Sequence, residues 1–184
     1  MGTCHIQKDS GSRQTRCRRG IQEATTERPR EMNAGDWFAK GLELLHGDAS
    51  QEALEALTTA IQLDPEYAEA YAYRGFAYYQ QGNYAAAMAD YSKAVALWPV
   101  FAEVYYFRAI LYGHLKDHEK AINDYTSAIE LKPTLIDAYY FRALNQGAAG
   151  RYEEALRDMK KAAKFGYEPA RRFLERHKVT PERN

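Results

Sequence analysis

A period of 34 residues runs through this chain and limits what it can fold into. The segments that begin at Ala68 and Ala102 align over their full length without a gap. Identical residues fall opposite one another in them, among them Tyr71 and Tyr105, Arg74 and Arg108, Asp90 and Asp124, and Pro99 and Pro133. A fixed period in this range is typical of stacked supersecondary units, because each unit buries its apolar face against its neighbours. The sequence therefore predicts a repeat array.

Each unit is predicted to be a pair of helices joined by a short turn. In the second unit, the first helix is expected over residues 66–81 and the second over residues 84–97, with Gly82-Asn83 between them. Asp64 is expected to cap the first of these helices, and Pro65 suits its first position. Small residues recur where the paired helices must approach closely: Gly41, Gly75, Ala109 and Ala143; Ala53, Ala87, Ala121 and Ala155; Ala60, Ala94, Ala128 and Ala162.

The spacing of small, aromatic and proline residues resembles the tetratricopeptide repeat family. In the first unit the pattern consists of Trp37, Gly41, Leu44, Ala53, Leu57, Ala60 and Pro65, and the next two units follow it in register. The resemblance extends over residues 34 to 167. It implies an all-α, right-handed α-α superhelix of about four helix-turn-helix repeats, closed by a C-terminal capping helix.

The register predicts domain boundaries as well as the fold. The repeats are expected at 34–67, 68–101, 102–135 and 136–167, the capping helix at 168–178, and a frayed end at 179–184. The fourth repeat departs from the pattern at Gln146 and Tyr167, as expected of a terminal repeat that faces solvent on one side. In the capping helix, Ala170, Phe173 and Leu174 are expected on one apolar face, opposite three arginines.

The first 31 residues have no usable apolar periodicity and are predicted to be a disordered basic tail. Three interpretations of this tail stay open: a passive extension, an arginine-rich targeting or polyanion-binding arm, and a non-native stretch before a start at Met32. Its acids, Glu23, Glu27 and Glu31, argue against an organellar transit peptide. The tail carries a net charge of +3, residues 157–184 carry +5, and the body between them carries −8.

The bulk composition limits the partner classes. The net formal charge is zero, which gives no argument for nucleic acid binding, and no apolar run is long enough to span a membrane. The two cysteines, Cys4 and Cys17, lie in the tail, so the fold does not depend on an oxidising compartment. The sequence therefore predicts a soluble cytoplasmic protein.

No catalytic motif, phosphate-binding loop or metal-ligand spacing occurs, so neither enzyme activity nor a cofactor is predicted. His114 and His118 are four residues apart, but they straddle the predicted turn between two helices, so no metal site is expected.

Arginine and aspartate residues recur sixteen apart in three units. These residues, called the arginine–aspartate ladder below, are Arg74 with Asp90, Arg108 with Asp124, and Arg142 with Asp158. We expect each pair to join the two helices of one hairpin as a partly buried ion pair. A row of arginines that reads an acidic ligand is the alternative, and it is disfavoured because every arginine has a carboxylate in register.

The family resemblance also implies a groove lined by the first helix of each unit. The implied positions are the second, fifth, sixth, ninth, twelfth and thirteenth of each unit. The residues of this candidate groove are Phe38, Leu42, Glu69, Tyr73, Phe76, Tyr79, Glu103, Tyr106, Phe107, Ile110, His114, Asp137, Tyr140, Phe141 and Leu144. Some of these rings could instead pack between adjacent repeats. Family members that grip the carboxylate end of chaperone tails use Lys, Asn, Asn, Lys and Arg, whereas the corresponding positions here hold Phe38, Leu42, Tyr73, Glu103 and Phe107.

These features predict a non-catalytic adaptor or scaffold that binds a protein or peptide partner with apolar and basic residues. An alternative is a self-assembling structural protein, a head-to-tail homo-oligomer in which the basic ends of one copy dock on the acidic body of the next.

Overall fold

A computed structural model describes residues 31–47 and 49–177, and these residues contain helices and no strand. The helices are α1 (Ala34–His46), α2 (Ser50–Leu63), α3 (Ala68–Gln80), α4 (Tyr84–Leu97), α5 (Ala102–His114), α6 (His118–Leu131), α7 (Ile136–Ala148), α8 (Tyr152–Lys164) and α9 (Glu168–Arg176). The predicted all-α class is confirmed. None of the helices in this part of the chain is long and apolar enough to pass through a membrane.

The helices pack as successive hairpins. Each odd-numbered helix from α1 to α7 packs on the even-numbered helix that follows it, and each even-numbered helix also packs on the next odd one. Consecutive odd-numbered helices from α1 to α7 contact one another directly as well. These four helices therefore form one continuous layer, and their first residues are Ala34, Ala68, Ala102 and Ile136.

Side-chain caps start three of the helices. Asn33 and Asp36 form a capping box at α1: the Asp36 N–H donates to Asn33 Oδ1 at 3.0 Å, and the Asn33 N–H donates to Asp36 Oδ2 at 2.9 Å. Asn83 and Asp117 accept backbone N–H groups at the starts of α4 and α6. The second helix of these hairpins is therefore started by a polar residue of the preceding turn.

The predicted cap at Asp64 is wrong. Helix α3 begins at Ala68, and Asp64 and Pro65 lie in the turn before it. The Tyr67 N–H donates to the Asp64 carbonyl at 3.2 Å, and Asp64 Oδ1 accepts from the Glu66 N–H at 3.0 Å. Asp64 therefore accepts hydrogen bonds from its own turn and not from the first turn of α3. Pro65 occupies the second position of this turn and not the first position of a helix.

Close approach of paired helices explains two of the glycines. A Cβ atom at Gly41 would lie 2.7 Å from Leu57, and one at Gly75 would lie 2.8 Å from the ring of Tyr91. Leu57 and Tyr91 are fully buried, as expected of large side chains that fill the space opposite small ones.

Helix α9 closes the array on α8. Ala170 and Leu174 are buried in the core that also contains Met159. Phe173, which was expected on the same apolar face as these two residues, is 38% exposed and stacks on His177 with ring centroids 4.3 Å apart. Residues 1–30 of the predicted tail, the frayed end and Lys178 lie outside the described residues.

Candidate functional site

The structure brings together the members of all three rungs of the arginine–aspartate ladder. In each rung the arginine donates from Nε and Nη2 to the two carboxylate oxygens of its aspartate, with Nε to Oδ2 distances of 2.7 Å. The arginine lies on the odd helix of a hairpin and the aspartate on the even helix. The three aspartates are buried, so these ion pairs are largely shielded from solvent. The guanidinium groups are therefore held by the chain's own carboxylates.

The three rungs differ in one further contact. Arg74 also donates to Thr58 Oγ1 at 3.3 Å, and Arg142 donates to Thr126 Oγ1 at 3.0 Å. Ser92 stands at the corresponding position for Arg108, but its hydroxyl donates to the Met88 carbonyl instead. Within the described residues, Asp124 is therefore the only side chain that accepts hydrogen bonds from Arg108.

Each ladder arginine also lies against the ring of a tyrosine on its own helix, a contact that was not predicted from the sequence. The guanidinium carbon is 5.5 Å from the ring of Tyr71 in the first rung, 5.6 Å from Tyr105 in the second and 5.8 Å from Tyr139 in the third. The signal that could have revealed these contacts is the register itself, because each tyrosine precedes its arginine by three residues on the same helix face.

The aromatic residues of the candidate groove form a continuous series of ring contacts along the odd-numbered helices. Phe38 of α1 contacts Tyr73 of α3 at 5.7 Å, and Tyr73 contacts Phe107 of α5 at 5.5 Å. The series continues from α5 to α7, where Tyr106 contacts Phe141 at 6.3 Å. Phe76 joins it by stacking on Phe107, and Tyr140 by an edge contact with Phe141.

Part of this aromatic surface is engaged in packing between repeats. Phe107 stacks on Tyr91 of α4, and Phe141 stacks on Tyr125 of α6. Ala72, at the fifth position of the second unit, is fully buried and does not face a groove. Of the remaining groove side chains, His114 and Leu144 are exposed. The half-buried ones include Phe38, Leu42, Tyr73, Phe76, Tyr79, Tyr106, Ile110 and Tyr140.

One end of the groove carries an aromatic cluster that includes a residue absent from the sequence prediction. Tyr84, the first residue of α4, lies 4.7 Å from the ring of His114 and 5.9 Å from that of Tyr79. Tyr79 and His114 also meet edge to face at 6.0 Å. Because Tyr84 lies on an even-numbered helix, the rule that selected groove positions on the odd-numbered helices could not find it.

The acidic row of the groove lies in the first turns of α3, α5 and α7 and consists of Glu69, Glu103 and Asp137. These carboxylates lie among tyrosines. Burial raises the pKa of Tyr73, and Glu103 and Glu69 raise it further, whereas the ammonium of Lys132 lowers it. Burial also raises the pKa of Tyr106, and Asp137 adds to that effect.

Glu103 already has a cationic partner. Lys132, which follows α6, places its Nζ 2.6 Å from Glu103 Oε1. The hydrogen bond with Glu103 is the main cause of the raised pKa of Lys132. The repeat pattern does not reveal this contact, because the two residues lie 29 apart, outside the repeat register.

A separate concavity lies away from the groove. It has a volume of about 450 Å³ and is lined by Gln51, Leu54, Glu55, Thr58, Thr59, Gln62, Tyr78 and Gln81 of α2 and the C-terminal end of α3. Most of its lining residues have polar side chains, and it contains none of the candidate groove residues.

No group of three or more metal-ligating side chains comes together in the described part of the chain. His118, one of the two histidines considered for a metal, lies 2.9 Å through Nδ1 from Asn145 Oδ1 of α7. The other, His114, packs on Tyr79 and Tyr84.

Family models match the central repeats. A model described as TPR repeat matches residues 50–82 and 75–116, and a model described as Tetratricopeptide repeat matches residues 102–135. No curated protein matches the sequence.

Solved structures extend the similarity to most of the chain. A crystal structure of MamA is 30% identical, with a TM-score of 0.67, and the match covers 76% of this chain and 81% of that one. The first TPR of Spaghetti (RPAP3), bound to the HSP90 peptide SRMEEVD, is 25% identical with a TM-score of 0.62, and the match covers 64% of this chain and 94% of that one. MamA from Desulfovibrio magneticus RS-1, at 19% identity and a TM-score of 0.64 with 73% and 76% coverage, is similar in fold alone.

Proposed function

This chain belongs to the tetratricopeptide repeat family and is a protein-interaction scaffold, and we propose that it is a non-catalytic adaptor whose candidate groove binds a peptide segment of another protein. The observation that carries the proposal is the series of ring contacts across α1, α3, α5 and α7. Half-buried aromatic rings supply large contact areas at a small cost in conformational entropy, which suits them to anchor a partner.

The chemistry of the groove favours an apolar and basic partner. Its candidate positions hold no lysine or arginine, and three of them hold carboxylates. The similar RPAP3 structure contains the acidic peptide SRMEEVD. Phe38, Tyr73 and Glu103 stand here at positions where chaperone-tail clamps use basic and amide side chains. The proposed partner therefore carries positive charge, in contrast to the acidic tails that chaperone-tail clamps bind.

Peptide display on the full chain tests this proposal. Random twelve-residue peptides are selected on the immobilised protein, and their affinities are then measured by fluorescence anisotropy. Tyr73→Ala is expected to weaken the selected peptides by about tenfold or more, as for an aromatic anchor at the centre of an interface. Tyr152→Ala is the matched control, because Tyr152 lies on α8 outside the groove and is 74% exposed.

A groove binder must lose affinity in the Tyr73 variant and keep it in the Tyr152 variant. Equal affinities in the two variants, with circular dichroism showing both folded, would exclude the groove. Because Tyr73 also contacts Phe38 and Phe107, the exposed Leu144→Asp substitution provides a second test that leaves those packing contacts in place.

A second candidate function is head-to-tail self-assembly. The C-terminal helix α9 exposes Arg171, Arg172 and Arg176, whereas the groove carries an acidic row. Glu168 pairs with Arg171 at 3.4 Å and with Arg172 at 3.0 Å, so part of this positive charge is balanced locally. The exposed arginines favour docking of one copy on the next.

A further inference from the structure

The three carboxylates of the acidic row stand at equivalent positions but differ in what lies next to them. Only Glu103, in the middle, is paired within the described residues, and its partner is Lys132. The position of Lys132 is occupied by Trp98 one repeat earlier and by Gly166 one repeat later. Neither of these residues can supply a positive charge.

The backbone shows that the replacement of lysine by tryptophan is a change of side chain alone. Lys132 has φ −139° and ψ 84°, and Trp98 has φ −139° and ψ 83°. Trp98 turns its ring onto Phe101, with centroids 5.0 Å apart. The same turn therefore supplies a cation to Glu103 but none to Glu69.

The surroundings of the outer carboxylates suit a cation. Glu69 lies in the first turn of α3, which follows Tyr67, and it adds to the raised pKa that burial gives Tyr67 and Tyr73. Asp137 acts in the same way on Tyr106 and Tyr167. A carboxylate among tyrosine rings attracts a lysine or arginine side chain by charge and through the ring faces.

We propose that Glu69 and Asp137 are two subsites for cationic side chains of one extended peptide, and that Lys132 fills the equivalent middle subsite from within the chain. This inference rests on the proposed peptide-binding groove and specifies the chemistry of its occupant. The contact between Lys132 and Glu103 shows how such a side chain is seated, with Nζ 2.6 Å from the carboxylate beside Tyr73.

The geometry also sets the spacing of the two cations. Helices α3, α5 and α7 pack in succession, and packed helices lie roughly 8 to 10 Å apart, so Glu69 and Asp137 are separated by roughly 16 to 20 Å. An extended chain rises about 3.3 Å per residue, so the two basic residues should be about five or six positions apart. Apolar side chains between them would meet the rings of Tyr73, Tyr106 and Phe107.

Synthetic peptides of defined lysine spacing test this inference. The probes are fluorescein-labelled twelve-residue peptides of Ala, Leu, Phe and Gln with two lysines three, six or nine positions apart, titrated with the full chain at low and high salt. The six-residue spacing should bind most tightly, and Glu69→Gln and Asp137→Asn should each weaken it about two- to fivefold at low salt. Glu130→Gln, an exposed carboxylate on α6, is the matched control and should leave the affinity unchanged.

Removal of the internal cation gives a second readout. In Lys132→Ala, a peptide with a third lysine midway between the first two should gain about two- to fivefold in affinity relative to the two-lysine peptide. Lys93→Ala removes an exposed lysine on α4 and controls for the change in net charge.

The outcomes separate this inference from the proposed function. Peptides that lose affinity in Tyr73→Ala but respond neither to lysine spacing nor to Glu69→Gln and Asp137→Asn would overturn the two-subsite inference and leave the groove in place. If no peptide, selected or designed, depends on Tyr73 or Leu144, the groove and its subsites both fail.

Discussion

Each ladder arginine is held by a buried carboxylate, so its charge contributes to packing within a hairpin. The pKa of Arg108 is raised by its hydrogen bonds to Asp124 more than burial lowers it, which keeps the guanidinium charged. A partly buried ion pair adds little net stability compared with an apolar pair, but loss of one partner is costly because the other charge stays buried. The ladder should therefore be sensitive to substitution at single residues.

Asp124→Ala should lower stability more than Asp158→Ala. Without Asp124, Arg108 has no side-chain acceptor among the described residues, whereas Arg142 keeps Thr126 when Asp158 is lost. We expect Asp124→Ala to cost about 3 kcal/mol and to lower Tm by about 6 to 12 °C in a chain of this size. Thermal unfolding followed by circular dichroism measures both variants.

Equal losses in the two variants would show that the threonine contact has no influence on the ladder. An unchanged melting curve for Asp124→Ala would exclude a structural role for the second rung. Asp124→Asn keeps the shape of the side chain and should give an intermediate Tm, since its oxygen still accepts one hydrogen bond.

At the scale of elements, the stability of the array depends on contacts between neighbouring helices. Helix α9 has only nine residues and contacts α8, so its stability depends on tertiary packing. Its buried side chains, Ala170 and Leu174, cover the core that contains Met159 and Tyr139. Loss of this cover exposes the last hairpin first, because each repeat is stabilised by its neighbours.

Leu174→Ala should therefore unfold the C-terminal end of the array before the rest. The truncation leaves a cavity under α9 and is expected to cost about 2 to 5 kcal/mol. Hydrogen exchange should accelerate in α8 and α9, whereas α3 and α4 should keep their protection. Phe173→Ala is the matched control on the same helix, because the Phe173 ring contacts His177 at the surface.

A uniform acceleration across all helices would contradict this local role. Equal effects of the Leu174 and Phe173 substitutions would mean that the exposed ring contributes as much to the cap as the buried leucine.

At the scale of the whole molecule, charge is divided between the body and the ends. The net charge is zero, but the body carries −8 and the two ends carry +3 and +5. Such a distribution attracts the ends of one copy to the body of another, and salt weakens this attraction because the Debye length falls to about 10 Å at 0.1 M.

If head-to-tail assembly occurs, the full chain should form species larger than a monomer at low salt, in proportion to concentration, and dissociate at high salt. Size-exclusion chromatography with light scattering measures this mass. A triple substitution of Arg171, Arg172 and Arg176 to Gln should prevent the assembly, whereas Lys93→Gln on α4 should not. A monomeric mass at every salt and protein concentration would exclude self-assembly and leave the adaptor function.

The sequence alone was sufficient for the features that recur with the repeat. Small residues such as Gly75 and large ones such as Tyr91 recur 34 residues apart, and they meet because the same hairpin is built several times. The sixteen-residue spacing of Arg108 and Asp124 likewise follows from the length of one hairpin. Because these contacts follow from the repeat period, they can be predicted from a single sequence.

Contacts between units or within turns were decided by the tertiary structure. The pairing of Lys132 with Glu103 joins residues outside the register, and Tyr84 meets His114 across two hairpins. Asp64 was expected to cap α3, but the turn before this helix places the Glu66 N–H against the Asp64 carboxylate instead. The packing of neighbouring helices determines which of these side chains remain exposed, and sequence periodicity does not encode that packing.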